Sequence, residues 1–244
     1  MITGKSSAQT FAAGGYHTCA VSATGGLVCW GGNDDGQLGD NSTITRPKPV
    51  NVTSFPFGAT SISGAHSVTG HTCAVTATGA VKCWGANGFG QLGDNFNTGQ
   101  CATTTTRCLT PVGVTGLSSG IAKVSAGDQF TCALSTTGGI SCWGRNNDGQ
   151  LGTGSPAMGT QPTPVGVSGF PAMAGATNIS GSYSHTCAVT AGGGVKCWGA
   201  AFSSQLGDNS DHAPDGYSAT PVEVVVSAVP LTGITALAAG ADHT

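Results

Sequence analysis

The chain has 244 residues, 41 of them Gly, with only 8% charged residues and a net charge of −3. Eight basic residues are a poor footprint for nucleic acid, which needs clustered Lys and Arg to displace counterions, and no apolar run approaches the roughly 20 residues that span a bilayer. Low charge beside 39% hydrophobic residues excludes a disordered chain, and the many Gly, Thr and Val residues favour short strands joined by tight turns.

Residues 1–10, MITGKSSAQT, lack the apolar core of an export signal. From His17 a motif begins that occurs four times: HTCAVSATGGLVCWGGNDDGQLGDN at His17, HTCAVTATGAVKCWGANGFGQLGDN at His71, FTCALSTTGGISCWGRNNDGQLGTG at Phe130 and HTCAVTAGGGVKCWGAAFSSQLGDN at His185. The only four tryptophans, Trp30, Trp84, Trp143 and Trp198, mark the copies at spacings of 54, 59 and 55. Self-similarity at such a period is the signature of a repeat architecture.

Each copy reads as a hairpin. T-C-A-V and V-x-C-W are strand-forming, and the midpoints of the segments between them fall at Thr24, Thr78, Thr137 and Gly192. Gly25, Gly79, Gly138 and Gly193 follow, where a three-residue hairpin loop wants a residue of positive φ. That register sets Cys19 opposite Cys29, Cys73 opposite Cys83, Cys132 opposite Cys142 and Cys187 opposite Cys197, within reach of a disulfide. The Trp beside the second Cys points to the other face, because side chains alternate, and is expected to pack between neighbouring sheets.

A GQLGD turn follows the Trp strand, then a polar loop, a Pro-Val segment (RPKPV, LTPVGV, QPTPVGV, ATPVEV) and a strand leading into the next copy. About four strands in a period of about 55 residues predict an all-β chain built as a β-propeller of four-stranded blades. The coils of the rival, a β-solenoid, are usually shorter and rarely carry a hairpin staple. The expected organisation is a single partial propeller over 1–244, with repeats at about 11–57, 58–120, 121–175 and 176–235 and the start of a fifth at 236–244, where LAAGADHT matches FAAGGYHT of 11–18. A free edge is a hazard that propellers normally close. The expectation is therefore a piece of a longer reading frame, the alternative being self-association, in which another chain completes the arc.

The strings CWGGNDDGQLG, CWGANGFGQLG, CWGRNNDGQLG and the degenerate CWGAAFSSQLG, with the preceding H-T-C-A-V, resemble the repeat of the regulator of chromosome condensation family. The resemblance covers nearly the whole chain. It implies a propeller, seven-bladed in the best-known members, of which this chain supplies about four blades. It implies no catalytic residues, and its members do unlike things, nucleotide exchange on a small nuclear GTPase among them. Fold therefore does not decide function.

The remaining cysteines, Cys101 and Cys108, lie in the longest segment between hairpins and form a fifth pair by proximity. Five disulfides imply an oxidising compartment, extracellular or at the cell surface. Zinc sites favour closer spacing and convergent ligands, so no metal or cofactor is expected. His17, His71, His185 and His243 share one repeat position, but Phe130 stands there in the third copy; a hydrogen bond within each blade fits better than a metal ring. The acidic NDDGQLGDN at 33–41 lacks the ligand spacing of a calcium loop. No phosphate loop or nucleophile–base motif stands out, so no catalytic residue is assigned.

Binding then rests on loops that vary between copies. The candidates are Asp34, Asp35, Phe89, Asn147 and Asp148 in the N-x-x-G step, with Phe96, Arg107, Phe202, His212 and Tyr217 in the long loops 95–110 and 200–219. The reading is a non-enzymatic binding or structural module presenting these loops to a protein or glycan. The alternative, carried by the family resemblance, is a nucleotide-exchange or regulatory protein for a small GTPase, which requires reduced cysteines.

Overall fold

The computed structural model describes residues 11–243 apart from 23–24, 56–57, 68, 97–100, 102–105, 155–158, 172, 174 and 213–214. The first ten residues, the Thr24 midpoint, parts of the 95–110 loop and Thr244 thus lie outside the described residues.

Four antiparallel sheets follow one another along the chain. They comprise β1 (Phe11–Ala13), β2 (His17–Val21), β3 (Leu27–Gly31) and β4 (Arg46–Asn51); β5 (Ser61–Gly64), β6 (His71–Val75), β7 (Val81–Ala86) and β8 (Arg107–Gly113); β9 (Ile121–Ala126), β10 (Phe130–Ser135), β11 (Ile140–Arg145) and β12 (Thr160–Gly166); and β13 (Asn178–Gly181), β14 (His185–Val189), β15 (Val195–Ala200) and β16 (Tyr217–Glu223). Within each sheet the strands lie in chain order. The first strands β1, β5, β9 and β13 pack against one another in succession. Serine rungs tie them: Ser61 and Ser63 hydroxyls accept the amides of Val124 (3.3 Å) and Ala126 (3.0 Å), and Ser125 accepts that of Gly181 (2.7 Å). The last strands lie on the outside and hold the prolines, such as Pro49, Pro111, Pro164 and Pro221. An outer strand needs no N–H on its free edge, so proline is tolerated there. The chain is an all-β arc of four propeller blades.

The hairpin geometry follows from two glycines per copy. In the second blade the Thr76 amide donates to Ala80 O (2.8 Å) and the Gly79 amide to Thr76 O (2.9 Å), a three-residue loop closed by Gly79 at φ 78°. Gly25, Gly138 and Gly193 repeat it at φ 83°, 84° and 75°. The pairing sets the two cysteines of each hairpin opposite one another, with Cα–Cα 4.1 Å in all four, and each pair is bonded, as are Cys101 and Cys108. The second glycine follows the Trp. Gly85 has φ 100°, and a Cβ there would lie 2.5 Å from Gly70 O. At this point the register to the outer strand shifts, between Cys83 and Gly85.

The core lies between blades. Trp84 packs into a cluster made otherwise mainly by the first blade, with Cys19, Cys29, Leu27, Leu38 and Val52. Trp143 does the same against Cys73, Cys83 and Leu92 of the second blade, and Trp198 against Cys132, Cys142 and Leu151 of the third. All three indoles are fully buried, whereas Trp30, which has no preceding blade in the described arc, is half-buried. Each buried indole donates its N–H to the Gln carbonyl of the preceding GQLG turn: Trp84 to Gln37 (2.9 Å), Trp143 to Gln91 (2.9 Å) and Trp198 to Gln150 (3.0 Å).

The same carbonyl takes a second donor. Thr72 donates to Gln37 O (2.8 Å) and Thr131 to Gln91 O (2.9 Å), and these hydroxyls in turn accept from His17 Nε2 and His71 Nε2, both at 2.8 Å. His17 and His71 therefore bond across to the next blade, contrary to the expectation from sequence, whereas His185 meets Ser182 of its own blade, as expected. The tautomer follows, because a hydroxyl that donates to a carbonyl receives the ring proton. In the third blade Phe130 fills the histidine's place against Gly127, and Thr186 keeps only a longer bond to Gln150 O, 3.4 Å.

Two features follow the fourth blade. A ribbon of β17 (Val225–Val226) and β18 (Val229–Pro230) turns through Ser227 and Ala228 at φ 51° and 66°, and the sequence pattern did not single it out. Beyond it the Ala239 amide donates to Ser180 Oγ (3.0 Å) and the Gly240 amide to His243 O (2.7 Å), the latter matching Gly14 to His17 (2.8 Å).

Truncating a fully enclosed indole leaves a large void and an orphaned carbonyl. Trp143→Ala is expected to lower stability by about 3–5 kcal/mol, and Trp30→Ala by roughly 1 kcal/mol or less, read by urea unfolding. Burial depresses the histidine pKa to about 4 at His17, about 3 at His71 and about 4 at His185. The unfolded chain takes up these protons near 6.5, so the native state loses stability as pH falls from 6.5 towards 4, by up to roughly 3 kcal/mol per ring. Urea midpoints measured between pH 7 and pH 4 are expected to fall steeply, and His71→Phe, which copies the third blade, to flatten the slope.

Candidate binding face

Alternating strand direction puts two sets of loops on one rim: those joining first to second strands and those joining third to fourth. Hairpin tips and blade-to-blade connections lie on the other rim. All ten residues that sequence variation singled out fall on the first rim, in the loops between third and fourth strands or at the strand ends beside them.

The structure brings three of them together. Arg107, at the start of β8, donates to the Asp34 carbonyl of the preceding blade (2.8 Å). Burial pushes the half-buried Asp35 carboxyl up, against the opposing pull of Arg107 and the Gly70 amide. The rest form separate local contacts. The Phe89 and Asp148 amides donate to Gln91 Oε1 (2.8 Å) and Gln150 Oε1 (2.9 Å) of their own turns. Asn147 is exposed, and Asp148 lies 3.7 Å from Arg145. Phe96 is half-buried at φ 51°. Phe202 is exposed, its ring lying where a Cβ on Gly216 would sit. His212 pairs with Asp208 (2.9 Å), and Tyr217 opens β16 half-buried beside Ala200. These contacts stay spread over four blades and make no single cleft.

The fourth turn departs from the others in a definite way. In the first three copies the Asn side chain accepts the Leu amide: Asn33 from Leu38 (2.9 Å), Asn87 from Leu92 (3.1 Å) and Asn146 from Leu151 (3.1 Å). Ala201 cannot do this, yet the Gln205 side chain still accepts the Ser203 amide (2.8 Å), and Ser204 takes φ 55° in place of Gly.

One cleft lies in the loops between first and second strands, which the sequence reading passed over. Its volume is about 460 Å³, and all four blades line it: Gly15 and Tyr16, then His66, Ser67 and Thr69, then Asp128 and Gln129, then Tyr183. Asp128 is only 3% exposed, and its Oδ1 has no hydrogen-bond partner among the described residues. Burial raises its pKa, opposed by a bond from Ser67 and by the charge of Arg145. Tyr16 and Tyr183 stand 62% and 48% exposed. The sequence signal was present: the residues just before each H/F-T-C differ in every copy, which is where a varied surface on a fixed frame is written.

A carboxylate short of partners, in a cleft rimmed by phenol rings, suits a cation. Ser182 Oγ and His185 Nδ1 are 2.6 Å apart, but both residues are sealed from solvent. Asp94, Cys101 and Cys108 have metal-ligand proximity, but the two sulfurs are bonded to each other.

Blades and rim loops together define a repeat-built propeller scaffold. Two models of the Regulator of chromosome condensation (RCC1) repeat match it, one at residues 24–75, 78–134 and 137–189, the other at 9–37, 121–150 and 176–205. The chain belongs to this repeat family. It is 32% identical over 204 residues to the human E3 ubiquitin-protein ligase HERC2, covering 83% of this chain and 4% of that protein. With the Ultraviolet-B receptor UVR8 of Arabidopsis thaliana it shares 34% identity over 197 residues, 80% of this chain and 42% of that one. The chain thus spans less than half the length of these relatives. The structure of Prp20p from Saccharomyces cerevisiae superposes with a TM-score of 0.74 at 18% identity, over 89% of this chain and 50% of that one, a likeness of fold.

Exposed side chains contribute little to folding. Tyr16→Ala and Tyr183→Ala are expected to leave the urea midpoint within roughly 0.5 kcal/mol of the parent. The folded Asp128 carboxyl has a raised pKa, so its charge opposes folding at neutral pH. Asp128→Asn is accordingly expected to unfold at a higher urea concentration than the parent at pH 7.

Proposed function

We propose that this chain is a non-enzymatic binding module, working outside the cell or on its surface, whose Asp128 cleft takes a basic side chain of a protein partner. The buried carboxylate carries the reading: its Oδ1 has no partner among the described residues, and Asp128 lines a cleft flanked by two exposed tyrosines. A Lys or Arg head supplies the missing donors and stacks on the rings. The five bonded cysteine pairs support an oxidising compartment. The likeness to Prp20p, described as binding Gsp1p and histones, supports a protein as the kind of partner.

Natively produced material, alkylated with and without prior reduction, tests the compartment by intact mass. Ten cysteines blocked until reduction support it, and free alkylation removes it in favour of a reduced, intracellular regulator assayed by nucleotide release from small GTPases. A photo-crosslinker replacing Tyr16 tests the partner. A protein adduct is expected, and Asp128→Asn is expected to abolish it. Adducts insensitive to Asp128→Asn overturn the basic-side-chain reading; retention on glycans without a protein adduct assigns the cleft to sugars.

A further inference from the structure

The residue after each Q-L-G is Asp40, Asp94, Thr153 and Asp208 in the four copies. Two of the carboxylates have a basic partner nearby in the chain. Arg46 donates to Asp40 through Nε and Nη2, both at 2.7 Å, and His212 lies 2.9 Å from Asp208. Thr153 carries no charge to balance. Asp94 is the most deeply buried of the three, 2% exposed, and no Lys, Arg or His among the described residues forms an ion pair with it. In the pairing of β7 with β8, Cys108 stands opposite Gly85, where Arg46 stands opposite Gly31 in the first blade. Sulfur thus takes the cation's place.

The contacts of Asp94 fit that exchange. Asn87 Nδ2 donates to Oδ1 (3.0 Å), and Oδ2 faces Cys101 Sγ at 3.5 Å. The second contact is a hydrogen bond only when the sulfur carries a proton. In the bridged form Oδ2 has no donor among the described residues. A buried carboxylate without a counter-charge is costly. The ligand atoms of Asp94, Cys101 and Cys108 all lie within 4.8 Å of one another, and all three residues are buried. Among the described residues none of the four hairpin staples has a carboxylate or histidine so placed.

We infer that Asp94, Cys101 and Cys108 form a redox-gated zinc site, closed to metal while the sulfurs are bridged and binding Zn²⁺ through two thiolates and the carboxylate once they are reduced. A dithiol reductant opens the bridge: one of its thiolates attacks one sulfur, its second closes on the first, and the reductant leaves as a disulfide with Cys101 and Cys108 as thiols. Zn²⁺ then displaces both thiol protons to solvent as the Zn–S bonds form. Sulfur with a single carboxylate suits this borderline-soft ion, whereas Ca²⁺ and Mg²⁺ take oxygen. Water fills the fourth tetrahedral position. Asn87 orients the carboxylate from behind. The site goes beyond the binding reading, and its test does not involve the Asp128 cleft.

The probe is Zn²⁺ itself. The folded chain is treated with dithiothreitol, freed of it without air, incubated with Zn²⁺ and passed through gel filtration. About one zinc per chain is expected to stay with the reduced chain and none with the oxidised one. Bound zinc is expected to shield Cys101 and Cys108 from alkylation, located by peptide mass. Cys101→Ser combined with Cys108→Ser is expected to abolish retention, and Asp94→Asn, which keeps the shape and removes the charge, to weaken it roughly 10-fold or more. Cd²⁺ in place of Zn²⁺ reads the sulfur ligands directly by the thiolate absorption band, whatever a variant does to folding. A bridge that stays closed in the folded chain overturns the inference, as do free thiols at both positions that hold no zinc. Retention unchanged in the double variant, or equal affinity in Asp94→Asn, overturns it too.

Discussion

Everything in this chain hangs on one backbone carbonyl per blade. The Gln oxygen of the GQLG turn accepts the indole N–H and the threonine hydroxyl of the following blade, and in two of the three filled copies a histidine completes the chain of donors. A buried carbonyl without partners is costly, and two donors satisfy both its lone pairs. The bond therefore fixes where the next blade sits before any hydrophobic contact is counted. The disulfide on the same face then gives the indole a flat, unyielding wall.

The motif's other residues serve that contact. The glycine after the Trp admits the bulge, and the glycine ending GQLG leaves room for the indole edge. The Asn and Gln side chains hold the turn's amides, so the carbonyl points outward to the next blade. Substituting Phe for His in the third blade removes one donor and leaves the packing intact, which explains why that position varies while Trp and Gln do not.

Such a frame leaves the loops between strands free of structural duty, and the chemistry gathers there. The residues before each H/F-T-C turn inward around the cleft, because the first strands crowd together at the inside of the arc. The loops after the Trp strand lie farther out, and their variable residues bond locally or in pairs across blades. Arg107 reaching back to the Asp34 carbonyl is such a brace. Variation within the N-x-x-G step pointed to one ring of loops on this rim, and the cleft lies in the other.

Much of the architecture was legible in the sequence. The repeat, the hairpin register, the glycine at the third loop position and the facing cysteines are local properties, set by side-chain alternation and turn sterics within a few residues. The tertiary structure decided the rest. The protons of His17 and His71 go to the next blade's threonine, and Asp128 is buried short of partners beside tyrosines from two other blades. Both depend on residues some 50 or more positions apart in the chain, brought together by blade stacking. A one-dimensional pattern records which residues repeat; it does not record which repeat each one faces.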